Sequence, residues 1–535
     1  GVPTGILSTP VIDRARGRIY VTHCDPRNRW QAYALDLHTG DILAGWPVRL
    51  DEAALNRTNR NRGPQPVEPR RRHDFRVQRG ALNLSPDGRW LYVTFGETET
   101  GWLVAVDTTE PRIGSAFAVA AMPHRGSGGI WGAGGPAVDV DGGLYVATGT
   151  GYGGYTDAAD DWTQSILRLV QAPEGLRLVG TYTPFNHCLS AAADIDLGSG
   201  GPALLPVVGV SGHLPRLLAV GGKQGNVYLL DRDRLPGSLD RRPPCTTPSS
   251  RDGSLLPPAP QPQFAARGPL NVFGPYSEAD AAMDLARSRS VPAAYVDAAG
   301  TIQVLVTGGS RRAEGDATSV APSLVRLAVA GADGAAPYLE VARRQPSVAM
   351  RNPGSPVVTS EDGGDAVVWV LDENAPRSAL LAGDGTLPRP ILYAFDAERL
   401  DLLWSSAPGL LHTSGKYNSP AFGGGLVFVG TDRIQAFGAG GRNQPAARHG
   451  AVPDRPTPPA TVADAPARRA QPADVIWRSR CAGCHDQASG NIPPRSLLST
   501  RPRARIVAAL TSGVMRAQAS GLSPTEIAAL ADFLE

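Results

Sequence analysis

Up to about residue 438 the apolar positions fall in short runs rich in Val, Leu, Tyr and Phe, punctuated by Gly, Pro and Asp. Runs of this kind, with turn signals between them, predict strands. One order of elements recurs: a Pro-Val-type strand, a turn with Asp or Gly, a strand ending in Tyr-Val or Phe-Val, and a strand ending in Asp. It is seen in 8–22 with 32–41, in 82–96 with 102–110, in 134–149, in 200–208 with 226–234, in 355–372 with 392–404, and in 419–431 with 434–438. A weaker copy lies at 293–309. Repeats of this length and all-β character predict a propeller, because one small sheet cannot bury both faces until neighbours close a ring. Seven units are legible; eight blades remain open if one repeat is degenerate or split between the two ends. A pair of β-sandwiches would leave the recurring strand-Asp-turn unexplained.

The pattern then changes twice. Residues 439–472 are Ala-, Pro- and Arg-rich without apolar period, and read as an extended linker. Residues 473–535 carry helical periodicity, so the predicted chain is a propeller over 1–438, a linker, and a small all-α domain.

Composition agrees. The 62 Gly and 48 Pro of 535 residues leave little room for helices, while 42% apolar residues suffice for a large core. A formal net charge of +2 gives no general reason to expect a nucleic acid or an anionic membrane as partner, and no apolar run is long enough to span a bilayer. Five cysteines, an odd and sparse set, do not form a disulfide scaffold. The chain begins at Gly1, which fits a mature secreted protein or an excised piece. Gly-rich stretches such as 126–135 follow no strand-to-helix pattern and are not phosphate loops.

The most specific chemistry lies near the end. Cys481-Ala-Gly-Cys484-His485 has the spacing at which two thiols add to the vinyl groups of a haem and the following imidazole ligates its iron. A zinc half-site would need a second Cys/His pair, and none is present. Met515 is the only methionine of the segment and the candidate sixth ligand. Ser523-Pro-Thr-Glu526 predicts a capping box opening a last helix, whose Leu530 and Phe533 are placed to meet Val475 and Trp477 of a first helix. The segment resembles a small monohaem cytochrome c. That resemblance implies haem c, single-electron transfer to a redox partner protein, and a periplasmic or secreted location.

A propeller followed by such a segment resembles the quinohaemoprotein alcohol dehydrogenases. The resemblance implies a pyrroloquinoline quinone (PQQ) site, calcium, and a small-molecule alcohol or polyol as substrate. Carried over by position, Lys223 in the segment 221–232 would bond the quinone's reactive carbonyl, and it is one of only two lysines in the chain. Asp194, with Asp196 beside it, would be the general base; Ala193 stands where the family has Trp. Trp131 would stack under the quinone, Arg79 would hold its oxygens, and Glu97 or Glu99 with Asp194 would ligate calcium. Two departures are plain. His73 and Asp74 lie near the position of the family's adjacent-cysteine ring, and Thr150 replaces its calcium-binding Asn. Cys188 and Cys245 are a candidate disulfide, which would leave Cys24 over. The alternative function is a haem-bearing electron-transfer or docking protein whose propeller has lost its quinone. In the last segment Arg501, Arg503 and Arg505 form a small basic run, read as a solvated face or a guide for an acidic redox partner.

Overall fold

The computed structural model describes the chain from residue 5 to 534 apart from 60–77, 97–99, 121–127, 152–160, 243–270, 274–287, 309–322, 375–387, 439–471, 487–493 and shorter gaps of one to six residues. Seven antiparallel sheets succeed one another along the sequence, six of four strands and a last one of three. The first holds β1 (Val11–Asp13), β2 (Arg18–Cys24), β3 (Trp30–Asp36) and β4 (Val48–Arg49); the second β5 (Asn83–Leu84), β6 (Trp90–Phe95), β7 (Trp102–Asp107) and β8 (Arg112–Ala118). The third holds β9 (Ala137–Val138), β10 (Leu144–Ala147), β11 (Ile166–Ala172) and β12 (Gly175–Tyr182), and the fourth β13 (Gly201–Leu204), β14 (Leu217–Gly221), β15 (Val227–Asp231) and β16 (Asn271–Phe273). The fifth comprises β17 (Ala293–Val296), β18 (Ile302–Thr307), β19 (Leu324–Ala330) and β20 (Tyr338–Arg344); the sixth β21 (Val357–Glu361), β22 (Gly364–Asp372), β23 (Ile391–Asp396) and β24 (Leu402–Ser405); the seventh β25 (Ala421–Gly423), β26 (Leu426–Gly430) and β27 (Ile434–Gly438). The expectation of seven or eight blades resolves to seven.

The first six sheets pack face to face in succession, and the middle strands show why their apolar runs are continuous. In β6, Leu91, Val93 and Phe95 enter the core shared with the first sheet, while Tyr92 enters the core shared with the third. In β10, Leu144 and Val146 face the second sheet, and Tyr145 and Ala147 face the fourth. Alternation persists in geometry but not in polarity, because both directions lead into apolar packing.

The Asp that ends the third strand of four of the sheets has a local reason. Asp36 Oδ1 accepts the amides of His38 and Thr39, Asp107 Oδ1 those of Thr109 and Glu110, Asp231 Oδ1 that of Asp233, and Asp396 Oδ1 those of Glu398 and Arg399. The side chain thus supplies the acceptor for amides that leave the ladder as the chain turns. The first hairpins turn on glycine at positive φ, as at Gly88 (70°) and Gly142 (85°).

The chain divides into two compact units, Ser378–Leu387, Phe422–Val427 and Ala436–Glu535 forming the second. That unit contains α3 (Ala473–Arg480), α4 (Ala482–His485), α5 (Arg495–Leu498), α6 (Arg503–Thr511) and α7 (Pro524–Leu534), numbered after α1 (Glu52–Thr58) and α2 (His187–Ala192) of the first. The capping box forms as predicted: Glu526 Oε2 accepts the Ser523 amide at 2.8 Å, and Ser523 Oγ accepts the Glu526 amide at 3.2 Å. One expectation is corrected. Trp477 meets Phe533 as expected, but Val475 is 45% exposed and Ile476 takes its place in the core, because residues two apart on a helix do not share a face. Among the described residues no helix is long and apolar enough to cross a membrane.

Candidate functional site

Two sites emerge, one in each unit. The first is built where loops enter and leave the inner strands of the second, third and fourth sheets. Trp131 precedes β9 and is buried; the Arg79 guanidinium lies 5.7 Å from its ring centroid, and Lys223 Nζ also lies 5.7 Å from it. Lys223 sits in the β14–β15 turn, 2% exposed, and donates to Asp196 Oδ2 at 2.8 Å. The second carboxylate oxygen, Oδ1, accepts the Thr150 amide at 2.7 Å. Backbone reinforces side chain, since the Lys223 amide donates to the Asp196 carbonyl at 2.9 Å.

Asp196 is fixed from several directions. Gln164, at φ 53°, donates from Nε2 to the Ile195 carbonyl (2.8 Å) and accepts the Leu197 amide at Oε1 (2.7 Å), so one side chain brackets Asp196 on both sides. The Gly198 amide reaches the Thr148 carbonyl. Gly149 is required for its size: a Cβ there would lie 2.7 Å from Asp196 Oδ1 and 3.0 Å from Trp131 Nε1. Lys223 and Asp196 also line a small cavity of about 20 Å³ with Gln164, His187 and Asn226, large enough for about one water. Arg79 and Trp131 are not in its lining.

The predicted Arg79, Trp131 and Lys223 are therefore neighbours. Asp194, Glu97, Glu99, His73 and Asp74 lie outside the described residues, as does Cys245; Cys188 is disulfide-bonded. Asp196, expected only as the neighbour of a base, is the carboxylate found on Lys223. Sequence reasoning missed Gln164, and His187 as a lining residue. Their signal is geometric, since neither stands in a motif. For calcium, both oxygens of Asp196 are engaged by nitrogen donors, and no cluster of three acidic, His or Cys side chains occurs among the described residues. The candidate calcium ligands Glu97, Glu99 and Asp194 lie outside the described residues. Two cations beside a flat indole are the residue types that a planar, polycarboxylate quinone would use, while the cavity on Lys223 and Asp196 has room for about one water.

The second site is a largely apolar cavity of about 340 Å³ lined from α3 to α7. Cys481, His485 and Met515 line it together with Trp477, Leu510 and Leu530. Cys481 caps the start of α4 and His485 ends it, with the His485 amide donating to the Cys481 carbonyl at 3.0 Å, so one helical turn directs both residues to one space. Trp477 stacks toward His485 at 5.8 Å and donates from Nε1 to Asp486 Oδ2 at 3.4 Å. The side chain of Cys484 is outside the described set. A thiol, an imidazole and a thioether around a largely apolar cavity, with Arg501 and Arg505 also in its lining, are a donor set that suits a haem.

No family model matches the chain. A polyvinylalcohol dehydrogenase from Sphingopyxis sp. (strain 113P3) is 40% identical over 58 residues, which is 11% of this chain and 9% of that protein. Similar solved structures include a quinohemoprotein alcohol dehydrogenase from Comamonas testosteroni (TM-score 0.45, 15% identity, 99% of this chain and 89% of that one). Another is a quinohemoprotein alcohol dehydrogenase from Pseudomonas putida HK5 (TM-score 0.48, 14% identity, 97% and 80%).

Proposed function

We propose that the chain is a periplasmic or secreted quinohaemoprotein that oxidises an alcohol or polyol in its propeller (1–438) and delivers electrons singly through a cytochrome c domain (473–535) joined by the linker 439–472. The observation that carries the reading is the shared lining of one apolar cavity by Cys481, His485 and Met515, immediately around a Cys-x-x-Cys-His motif. It is supported by the Arg79–Trp131–Lys223–Asp196 cluster in the propeller.

Haem c supplies a one-electron couple, and PQQ, when bound, supplies the two-electron oxidant. Everything else falls to the chain. Cys481 and Cys484 would hold the porphyrin covalently, with His485 and Met515 at the iron. Trp131 would present its flat face to the quinone ring, while Arg79 and Lys223 offer N–H donors to carboxylate and carbonyl oxygens. Asp196 keeps the Lys223 ammonium oriented. Asp194 is assigned the hydroxyl proton of the substrate, two residues from the fixed Asp196.

The test is optical: PQQ, with and without calcium, and a panel of alcohols including polyols are added to the oxidised protein while the reduced-haem band is followed. Reduction that needs both quinone and alcohol is expected, and it should fall at least a hundredfold in Asp194→Asn. A haem that responds to dithionite but not to quinone plus alcohol would leave a haem-bearing electron-transfer protein with a propeller that has lost its quinone.

A further inference from the structure

The second unit contains three arginines in alternate positions, Arg501, Arg503 and Arg505, and the fold separates them. Arg503 turns away and pairs through Nε with Asp532 of α7. Arg501, in the turn before α6, and Arg505, in its first turn, instead line the apolar cavity that holds Cys481, His485 and Met515. Apart from His485 they are the only ionisable nitrogen bases of a lining otherwise made of Trp, Leu, Ile, Ala, Met and Cys side chains. Neither has an acidic partner among the described residues, although Arg16, Arg29, Arg216 and Arg399 elsewhere each have one. Both are exposed, so they stand at the cavity's rim and not in its depth.

An apolar cleft with two guanidinium groups at one edge fits a ligand that is apolar over most of its area and carries two anionic groups at one end. A haem has that shape, with two carboxylates on one edge of the macrocycle. Resting on the cytochrome reading above, we infer that Arg501 and Arg505 bind those carboxylates, and by compensating their charge hold up the reduction potential of the iron. Guanidinium is suited to this, being permanently charged and able to bond a carboxylate through two N–H groups. The basic run is thus divided: two positions serve the buried group and the third braces α6 against α7.

The experiment uses the full-length protein. Covalent haem is first measured from the absorbance of the denatured chain, and the ratio of reduced to oxidised haem is then read against a redox dye at fixed ambient potential. In Arg501→Gln and Arg505→Gln the ratio should fall three- to tenfold, tenfold being 59 mV for a one-electron couple. Arg503→Gln should leave it unchanged. Arg501→Lys and Arg505→Lys, which keep the charge but lose the fork, should fall less but measurably. They carry the same test if the glutamine variants do not load haem. Loaded variants at 501 and 505 that match wild type, or that shift no more than Arg503→Gln, would overturn this assignment alone. A wild-type chain without covalent haem would overturn the cytochrome reading, and this one with it.

Discussion

Replacing Lys223 by Met tests whether the Lys223–Asp196 pair is a structural brace as well as a site residue. Both partners are nearly fully buried, 2.8 Å apart, and the methionine matches the lysine stem in length. The substitution removes the ammonium and leaves the Asp196 carboxylate with the Thr150 amide as its remaining described donor. Breaking a buried pair from one side costs about 3–5 kcal/mol, since a charge stays behind without compensation. For a unit of roughly 420 residues, about 2.1 cal/mol/K per residue gives an unfolding entropy near 0.9 kcal/mol/K, so Tm should drop by about 3–6 °C. Asp196→Asn alone strands the ammonium and should cost a similar amount. In the double variant, Lys223→Met with Asp196→Asn, no charge is left, and only the unmet hydrogen bonds of the introduced side-chain amide, about 1–3 kcal/mol, remain. Scanning calorimetry on the four proteins closes the cycle, and a coupling of several kcal/mol is expected. Additive losses, or a Lys223→Met variant that melts within about 1 °C of wild type, would refute the argument and show the pair to be energetically neutral.

Other outcomes follow from the geometry. Gly149→Ala should preserve the propeller yet displace Asp196 or Trp131, seen as a changed Trp fluorescence and at least tenfold weaker quinone binding by titration. Glu526→Ala removes half of the capping box and should destabilise the second unit by about 0.5–2 kcal/mol, read from loss of helical circular dichroism on heating. Acid should weaken the propeller. Asp36 is held below its usual value by the amides of Thr39 and His38, and Asp25 is held at about 2 by the Arg29 guanidinium. Burial raises Asp107, but the Thr109 hydroxyl and the amides of Glu110 and Thr109 outweigh it and leave it lowered. A carboxyl depressed in the folded state adds stability above its unfolded value near 3.8, and that contribution is lost as pH falls through the folded value. Unfolding midpoints measured from pH 5 to pH 2 should fall most steeply below about pH 4, and Asp36→Asn with Asp107→Asn should flatten that limb.

Middle strands such as β6 and β10 were legible because their side chains feed two cores at once, and the turn carboxylates because their reason is local, whereas β11, β14 and β19 fell outside the recurring units. Outer strands were not legible. β16 and β20 carry no repeated signature, and β20 is largely exposed beyond Leu339, so nothing in composition separates it from loop. In the site, Trp131, Arg79 and Lys223 were placed by resemblance. Gln164 was invisible because its role depends on reaching a segment about thirty residues away that sequence order does not bring near. The second unit was readable through spacing, since motif, cap and helix period are all short-range. The error at Val475 was one of spacing, since a residue two before Trp477 cannot share its helix face.

Because every sheet is drawn from one uninterrupted stretch of sequence, each blade can complete itself in the order in which the chain emerges, with little to wait for from residues not yet made. The fourth blade departs from this rule. β7 hands over to β8 across four residues, whereas β15 and β16 are separated by roughly forty. Closing the longer connection costs about 2 kcal/mol more in chain entropy. The edge strand of that blade is therefore expected to be the last of the ring to gain hydrogen-exchange protection, a delay placed beside the Lys223 turn and so able to govern when the site matures.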